Sequence, residues 1–253
     1  MPRTVLPHSG ALRAVRGGWR TDGELVSIAL WLLAVLLLLA FLYWLIIVGE
    51  GTYLGRPAVR LIYQLGARVY DEARHNVTAS DQTLLLPLLR DALDGAPAPR
   101  VLDVATGTAR APMLLASQPW FGGSIDALDL TPAMLDRARA KLTSAGLAAR
   151  VGLHQGDAGA LPWPDASFDL VISLEALEFF PRPRRALAEM SRVLKPGGAL
   201  VVSKYPDRWA RALPLKGLTR NAMMRALERL GLGEIAIHEW QPGHYELVTA
   251  RKL

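Results

Sequence analysis

Hydrophobic positions along this chain follow two different rules. From Leu25 to Val48 an apolar run of 24 residues carries no charge, with Ser27 as its one clearly polar side chain. As a helix rising about 1.5 Å per residue it spans about 36 Å, more than the ~30 Å hydrocarbon core of a bilayer. Glu24 and Glu50 bound it, and Tyr43, Trp44 and Tyr53 stand where an interfacial aromatic belt belongs. The run is too long for the apolar part of a signal peptide, and Ile-Ile-Val-Gly-Glu-Gly is a poor cleavage site. The pattern predicts one transmembrane helix over 25–48, after a basic tail, 1–24. Arg56, Arg60, Gln64 and Arg68 then repeat every four residues opposite Val59, Ile62, Leu65 and Val69. That spacing suits an amphipathic juxtamembrane helix within 49–74 with arginines toward anionic lipid, or equally a surface helix packed on the following domain.

Beyond Arg74 short apolar runs alternate with helical stretches. Strands are predicted at Arg100–Val104, Ile125–Asp129, Val151–His154, Phe168–Ser173 and Ala199–Lys204. Helices are predicted over 81–93, 109–117, from Thr131-Pro132 to about Gly146, over 184–194 and over 219–230. Glu234–Trp240 and Tyr245–Lys252, joined through Gln-Pro-Gly, read as a hairpin. Alternating strands and helices imply a doubly wound α/β domain over 75–253, mostly parallel, with its last strand reversed.

Composition narrows the chemistry. The absence of cysteine excludes disulfides, zinc–thiolate sites and a thiol nucleophile. A net charge of +6 permits an anionic partner, but the basic residues gather beside the apolar run without an aromatic–basic stripe, which argues against nucleic acid. His238-Glu239 has no second histidine at zinc-protease spacing, and no metal constellation is expected.

Ligands of such sheets bind beyond the carboxyl ends of the strands. Three carboxylates fall there: Asp103 at the first strand, Asp129 at the second and Asp157 after the third. Each alone is an ordinary turn or capping aspartate; together they form an acidic rim. Such a rim disfavours a dinucleotide pyrophosphate and suits a cationic nucleoside.

VLDVATGTAR (101–110), DALDLTPAMLDRAR (126–139), GDAGALPWPDASFDLVIS (156–173) and LEALEFFPRPRRALAEMSRVLKPGGALVVS (174–203) resemble the successive motifs of class I S-adenosylmethionine-dependent methyltransferases, in their quinone and lipid branch. The resemblance runs from about Tyr63 to the C-terminus. It implies a seven-stranded Rossmann-like sheet with an antiparallel final strand, and S-adenosylmethionine as cofactor. By position, Asp103, Ala105 and Gly107 would line its methionine part and Asp129 its ribose, with Leu130 and Met134 beside the adenine. Asp157 and Ala158 would meet the adenine edge. Ser173, Leu174 and Glu175 would close the site beneath the sulfonium, and Tyr70 of a Tyr-Asp pair would cover it. Ala105 and Ala109 replace usual glycines, and Phe179 stands where relatives often carry histidine.

The reading is a membrane-anchored methyltransferase acting on a lipid-soluble acceptor, a quinone precursor or a phospholipid headgroup. The alternative is a cofactor-binding assembly protein that has lost turnover. A base, if one is needed, would come from Glu178, His154 or His75. Four arginines before the apolar run (Arg3, Arg13, Arg16, Arg20) against three after it count marginally for a cytoplasmic N-terminus. A cytosolic cofactor requires instead that residues 53–253 face the cytoplasm, and that is the expectation.

Overall fold

A computed structural model describes residues 22–67 and 78–253 of the chain. The chain divides into two compact units between Trp44 and Leu45. In the first, α1 (Asp22–Tyr43) carries apolar side chains exposed on all sides, among them Leu30, Trp31, Leu36 and Phe41. A wider helical turn at Trp44–Val48 continues it. Together they form an apolar stretch, Gly23–Val48, with a mean hydropathy of 3.0 and none of it buried. By length and composition the stretch could cross a membrane.

Leu45–Leu253 is the second unit. Residues 49–67, expected as part of a juxtamembrane linker, belong to it. The chain turns at Gly51, whose left-handed backbone (φ +66°) strains any residue with a β-carbon. A short 3₁₀ turn (Thr52–Leu54) leads into α2 (Arg56–Gly66), which packs Val59, Ile62 and Tyr63 inward and leaves Leu61 and Leu65 exposed. Leu65 thus departs from the apolar side assigned to it by periodicity.

After a single turn, α3 (Thr78–Ser80), a helical stretch over Asp81–Ala92 ends in α4 (Leu86–Ala92). Seven strands follow: β1 (Arg100–Val104), β2 (Ser124–Asp129), β3 (Val151–Gln155), β4 (Phe168–Ser173), β5 (Leu194–Lys204), β6 (Leu232–Gln241) and β7 (Tyr245–Lys252). Between them lie α5 (Arg110–Ala116), α6 (Pro132–Ser144), α7 (Pro183–Val193), a turn α8 (Asp207–Ala210) and α9 (Arg220–Arg229). The sheet order is β3-β2-β1-β4-β5-β7-β6, with β7 antiparallel to both neighbours. This is the expected doubly wound, mostly parallel sheet.

Alternate side chains of each central strand feed opposite cores. Val101, Leu170, Ile172 and Val201 join Leu85, Leu89, Leu115 and Trp240 on one face. Leu102, Val171, Leu200 and Val202 join Leu187, Met190 and Leu227 on the other. Strands apolar at every position are what two covering helix layers require. At about 1.5–3 kcal/mol per fully buried large aliphatic side chain, these two cores dominate the fold's stability. β5 starts five residues earlier than expected, because Leu194 already pairs with Phe168 before the register shifts and resumes at Ala199.

Candidate active site

The loop after β1 is drawn over the carboxyl edge of the sheet, and its shape is unusual for its residues. Ala105, Gly107 and Ala109 all have φ near +60°. Glycine adopts that conformation freely, whereas alanine does so at a cost of about 1–2 kcal/mol. Asp129, at the end of β2, holds the loop: one carboxylate oxygen accepts the Gly107 N–H and the other the Thr131 N–H, each at 2.9 Å. Burial raises the Asp129 pKa and these backbone donors oppose the rise.

Between this loop, the ends of β2 and β3 and the segment after β4 lies a cleft open to solvent. Ala105, Gly107, Asp129, Leu130, Asp157, Ala158, Leu174 and Glu175 all line it. Three other sequence candidates stand behind its wall. Asp103 is buried beneath the loop, Met134 is fully buried on α6, and the Ser173 hydroxyl donates to the Val104 carbonyl at 2.9 Å. Burial pushes Asp103 up to about 7, partly opposed by the Thr106 hydroxyl and Arg110. Tyr70 and His75 lie outside the described residues.

Neither of the other two base candidates reaches the cleft. His154 sits on the outer strand with Nε2 2.8 Å from Asp126 and its ring edge-on to Trp163. Glu178 is buried in a separate small hollow with Lys204, Tyr205 and Lys216. The acidic side chain that does line the cleft on the β4 side is Glu175, with φ +52°; it accepts Arg110 at 2.7 Å and Gln241 at 2.8 Å. Arg110 in turn approaches Asp81 and lies over the Trp240 ring, so one arginine balances two buried carboxylates.

Sequence periodicity did not assign α2 to the site. Arg56, Val59 and Tyr63 roof the cleft, and Arg56 meets Asp157 at 2.5 Å. Tyr63 is fixed by a hydrogen bond to Glu50. Only the inward tilt of α2 brings these residues over the strand ends, and no local motif encodes that tilt. Phe179, Phe180 and Pro181 form the far wall.

The cleft fits a cationic nucleoside. Its loop side offers backbone with nothing larger than a methyl group, and a buried carboxylate stands at its β2 rim. Among the described residues no acidic–histidine cluster could hold a metal.

Residues 102–202 match the methyltransferase domain family. That span is a methyltransferase domain, set within the seven-stranded sheet described above. S-adenosylmethionine is the cofactor this family implies. Over 115 residues, 46% of the chain, it is 41% identical to a demethylmenaquinone methyltransferase from Thermus thermophilus, covering 50% of that protein. Over 158 residues, 62% of the chain, it is 32% identical to a ubiquinone/menaquinone biosynthesis C-methyltransferase from Roseobacter denitrificans, covering 62% of it. The chain thus spans only about half to three-fifths of these curated relatives. Among solved structures, a putative S-adenosylmethionine-dependent methyltransferase from Methanococcus maripaludis superposes with a TM-score of 0.60 at 21% identity, over 75% of this chain and 93% of that one. That likeness speaks to the fold alone.

Proposed function

We propose that this protein methylates a lipid-soluble acceptor, a quinone precursor in preference to a phospholipid headgroup, while held at a membrane by Gly23–Val48. The observation that carries the reading is the two-sided cleft: the Asp129 carboxylate and an open backbone loop at one end, Phe179, Phe180 and Pro181 at the other. The named activities of the quinone-methylating relatives support it.

When bound, S-adenosylmethionine supplies a methyl carbon made electrophilic by a positive sulfur. Asp129 would hold the ribose hydroxyls through the remaining lone pairs of its carboxylate, worth a few kcal/mol for charge-assisted hydrogen bonds. Ala105 and Gly107 would let the ligand approach the backbone closely. Leu130 and Ala158 would flank the adenine, with Asp157 at its amino edge. Glu175, locked by Arg110 and Gln241, contributes negative charge on the β4 side. Phe179 and Phe180 would stack an aromatic acceptor and exclude water; positioning of this kind is worth up to about 7–11 kcal/mol.

The rival, a binding protein without turnover, rests on Ala105 and Ala109. Both hold the left-handed backbone their glycine counterparts would adopt, so the loop shape is retained at an energetic cost. Mass spectrometry of quinone and lipid extracts from cells with and without the protein decides between acceptors. A quinone species lacking one methyl group in the deletion is expected; undermethylated phospholipid with normal quinones would select the headgroup. Cofactor binding by calorimetry with unchanged quinones and lipids in the deletion would select the rival; no binding at millimolar cofactor would overturn both.

A further inference from the structure

The catalytic unit has an exposed apolar edge of its own. Its first residues, Leu45–Val48, are the last turn of the apolar stretch, and Ile46, Ile47 and Val48 are 42%, 58% and 41% exposed. Val48 lines a shallow groove together with Tyr205, Trp209, Leu213 and His244. Trp209 is 50% exposed, and Leu215, in the same β5–α9 connection, is 90% exposed. Leu215 also has φ +64°, so the chain spends backbone strain to present a leucine to solvent. Leu54 extends the patch, since its neighbour Tyr53 donates to the Pro214 carbonyl. Lys216, buried, binds this corner together by donating to the carbonyls of Thr52, Phe180 and Pro181.

Trp209, Leu213 and Leu215 follow β5 and His244 follows β6, so this part of the patch lies at the carboxyl edge of the parallel strands. It is the edge on which the methyltransferase cleft opens. Arg208 and Arg211 are exposed beside the apolar groups, the arrangement of an element seated among lipid headgroups.

We propose that this edge, centred on Trp209 and Leu215, is a bilayer-contact face that seats the cleft mouth against the lipid. The occupant is assigned by continuity: the residues that begin the patch are the end of the apolar stretch itself, so whatever solvates Ile46–Val48 also meets Trp209. The face rests on the membrane-anchored reading above, and deepens it by giving the acceptor a route that never crosses water.

Because the native chain has no cysteine, single thiols report location directly. The full-length protein carrying Leu215→Cys, Ser27→Cys or Ser144→Cys is labelled with an environment-sensitive NBD dye. It is then reconstituted in phosphatidylethanolamine–phosphatidylglycerol vesicles containing lipids spin-labelled high on the acyl chain. Ser144, exposed at the end of α6 on the opposite edge, is the reference. A blue shift and loss of emission at positions 27 and 215, with neither at 144, is the expected result. Quenching at 27 without quenching at 215 overturns the contact face and leaves the anchor. Quenching at 215 alone keeps the face and removes the anchor. No quenching at either position, or equal quenching at 144 and 215, overturns the face.

Discussion

Arg56 reaches across 101 positions of sequence to place its guanidinium 2.5 Å from the carboxylate of Asp157. The contact joins the roof helix α2 to the rim of the cleft, although Arg56 is largely solvent-exposed. An exposed pair contributes about 0–1 kcal/mol to stability, so its consequence is access. Arg56→Ala is expected to leave the melting temperature nearly unchanged while speeding release of S-adenosylmethionine several-fold, read by stopped-flow displacement. An unchanged release rate would mean that α2 does not close the cleft.

Asp129 serves the loop and the ligand with one carboxylate. Asp129→Ala should weaken cofactor binding by about 1–3 kcal/mol through lost charge-assisted hydrogen bonds. It should also lower the stability of the unliganded protein, because the Gly107 and Thr131 N–H groups lose their acceptor. Calorimetry and thermal melting without ligand separate the two losses.

The alanines of the β1 loop carry strain that glycine would relieve. Ala105→Gly is expected to stabilise the protein by up to about 1 kcal/mol, the left-handed penalty less the entropy that glycine gains in the unfolded chain. Chemical denaturation measures it. A loss of stability would show that the Ala105 methyl contributes packing that outweighs its backbone cost.

Asp103 makes stability depend on pH. Its folded pKa of about 7 lies above the ordinary 3.8, so the folded state holds a proton that the unfolded chain has released across that interval. Stability from this group is therefore fully present below about pH 4 and is lost as pH rises through 7, with a slope of up to about 1.4 kcal/mol for each step of one in pH. Asp103→Asn should lie close to the native protein at or below about pH 4 and exceed it by a margin that grows up to pH 7–8 in unliganded thermal melts. Equal melting of the two at pH 8 would show that Asp103 ionises without penalty.

The position of the unit boundary sets where the anchor can be cut. Deleting residues 1–44 should give a folded unit that leaves the membrane pellet in carbonate and still binds S-adenosylmethionine. Deleting 1–50 removes Val48 from the wall of the groove and Glu50 from its hydrogen bond with Tyr63, and should lower the melting temperature relative to the shorter deletion. Equal melting of the two fragments would show that Leu45–Glu50 adds nothing to the fold.

Much of this protein is written in short range. The apolar length of Leu25–Val48 sets the exposed helix, because chain length and charge alone meet the membrane criterion. Fully apolar strands separated by helical periodicity set the doubly wound sheet, and Asp103, Asp129 and Asp157 mark its working edge because strand ends are local features. Tertiary structure decided the rest. Only the crossing of α2 over the strand ends brings Arg56 and Tyr63 to the cleft, since a helix with more than one apolar side can pack either way. Only the fold sets His154 against Asp126 and Trp163 and Glu178 in a hollow with Lys204 and Lys216, apart from the cleft. The join of Glu175 to Arg110 and Gln241 links three segments far apart in sequence, and side-chain pairs of that kind leave no periodic trace along a chain.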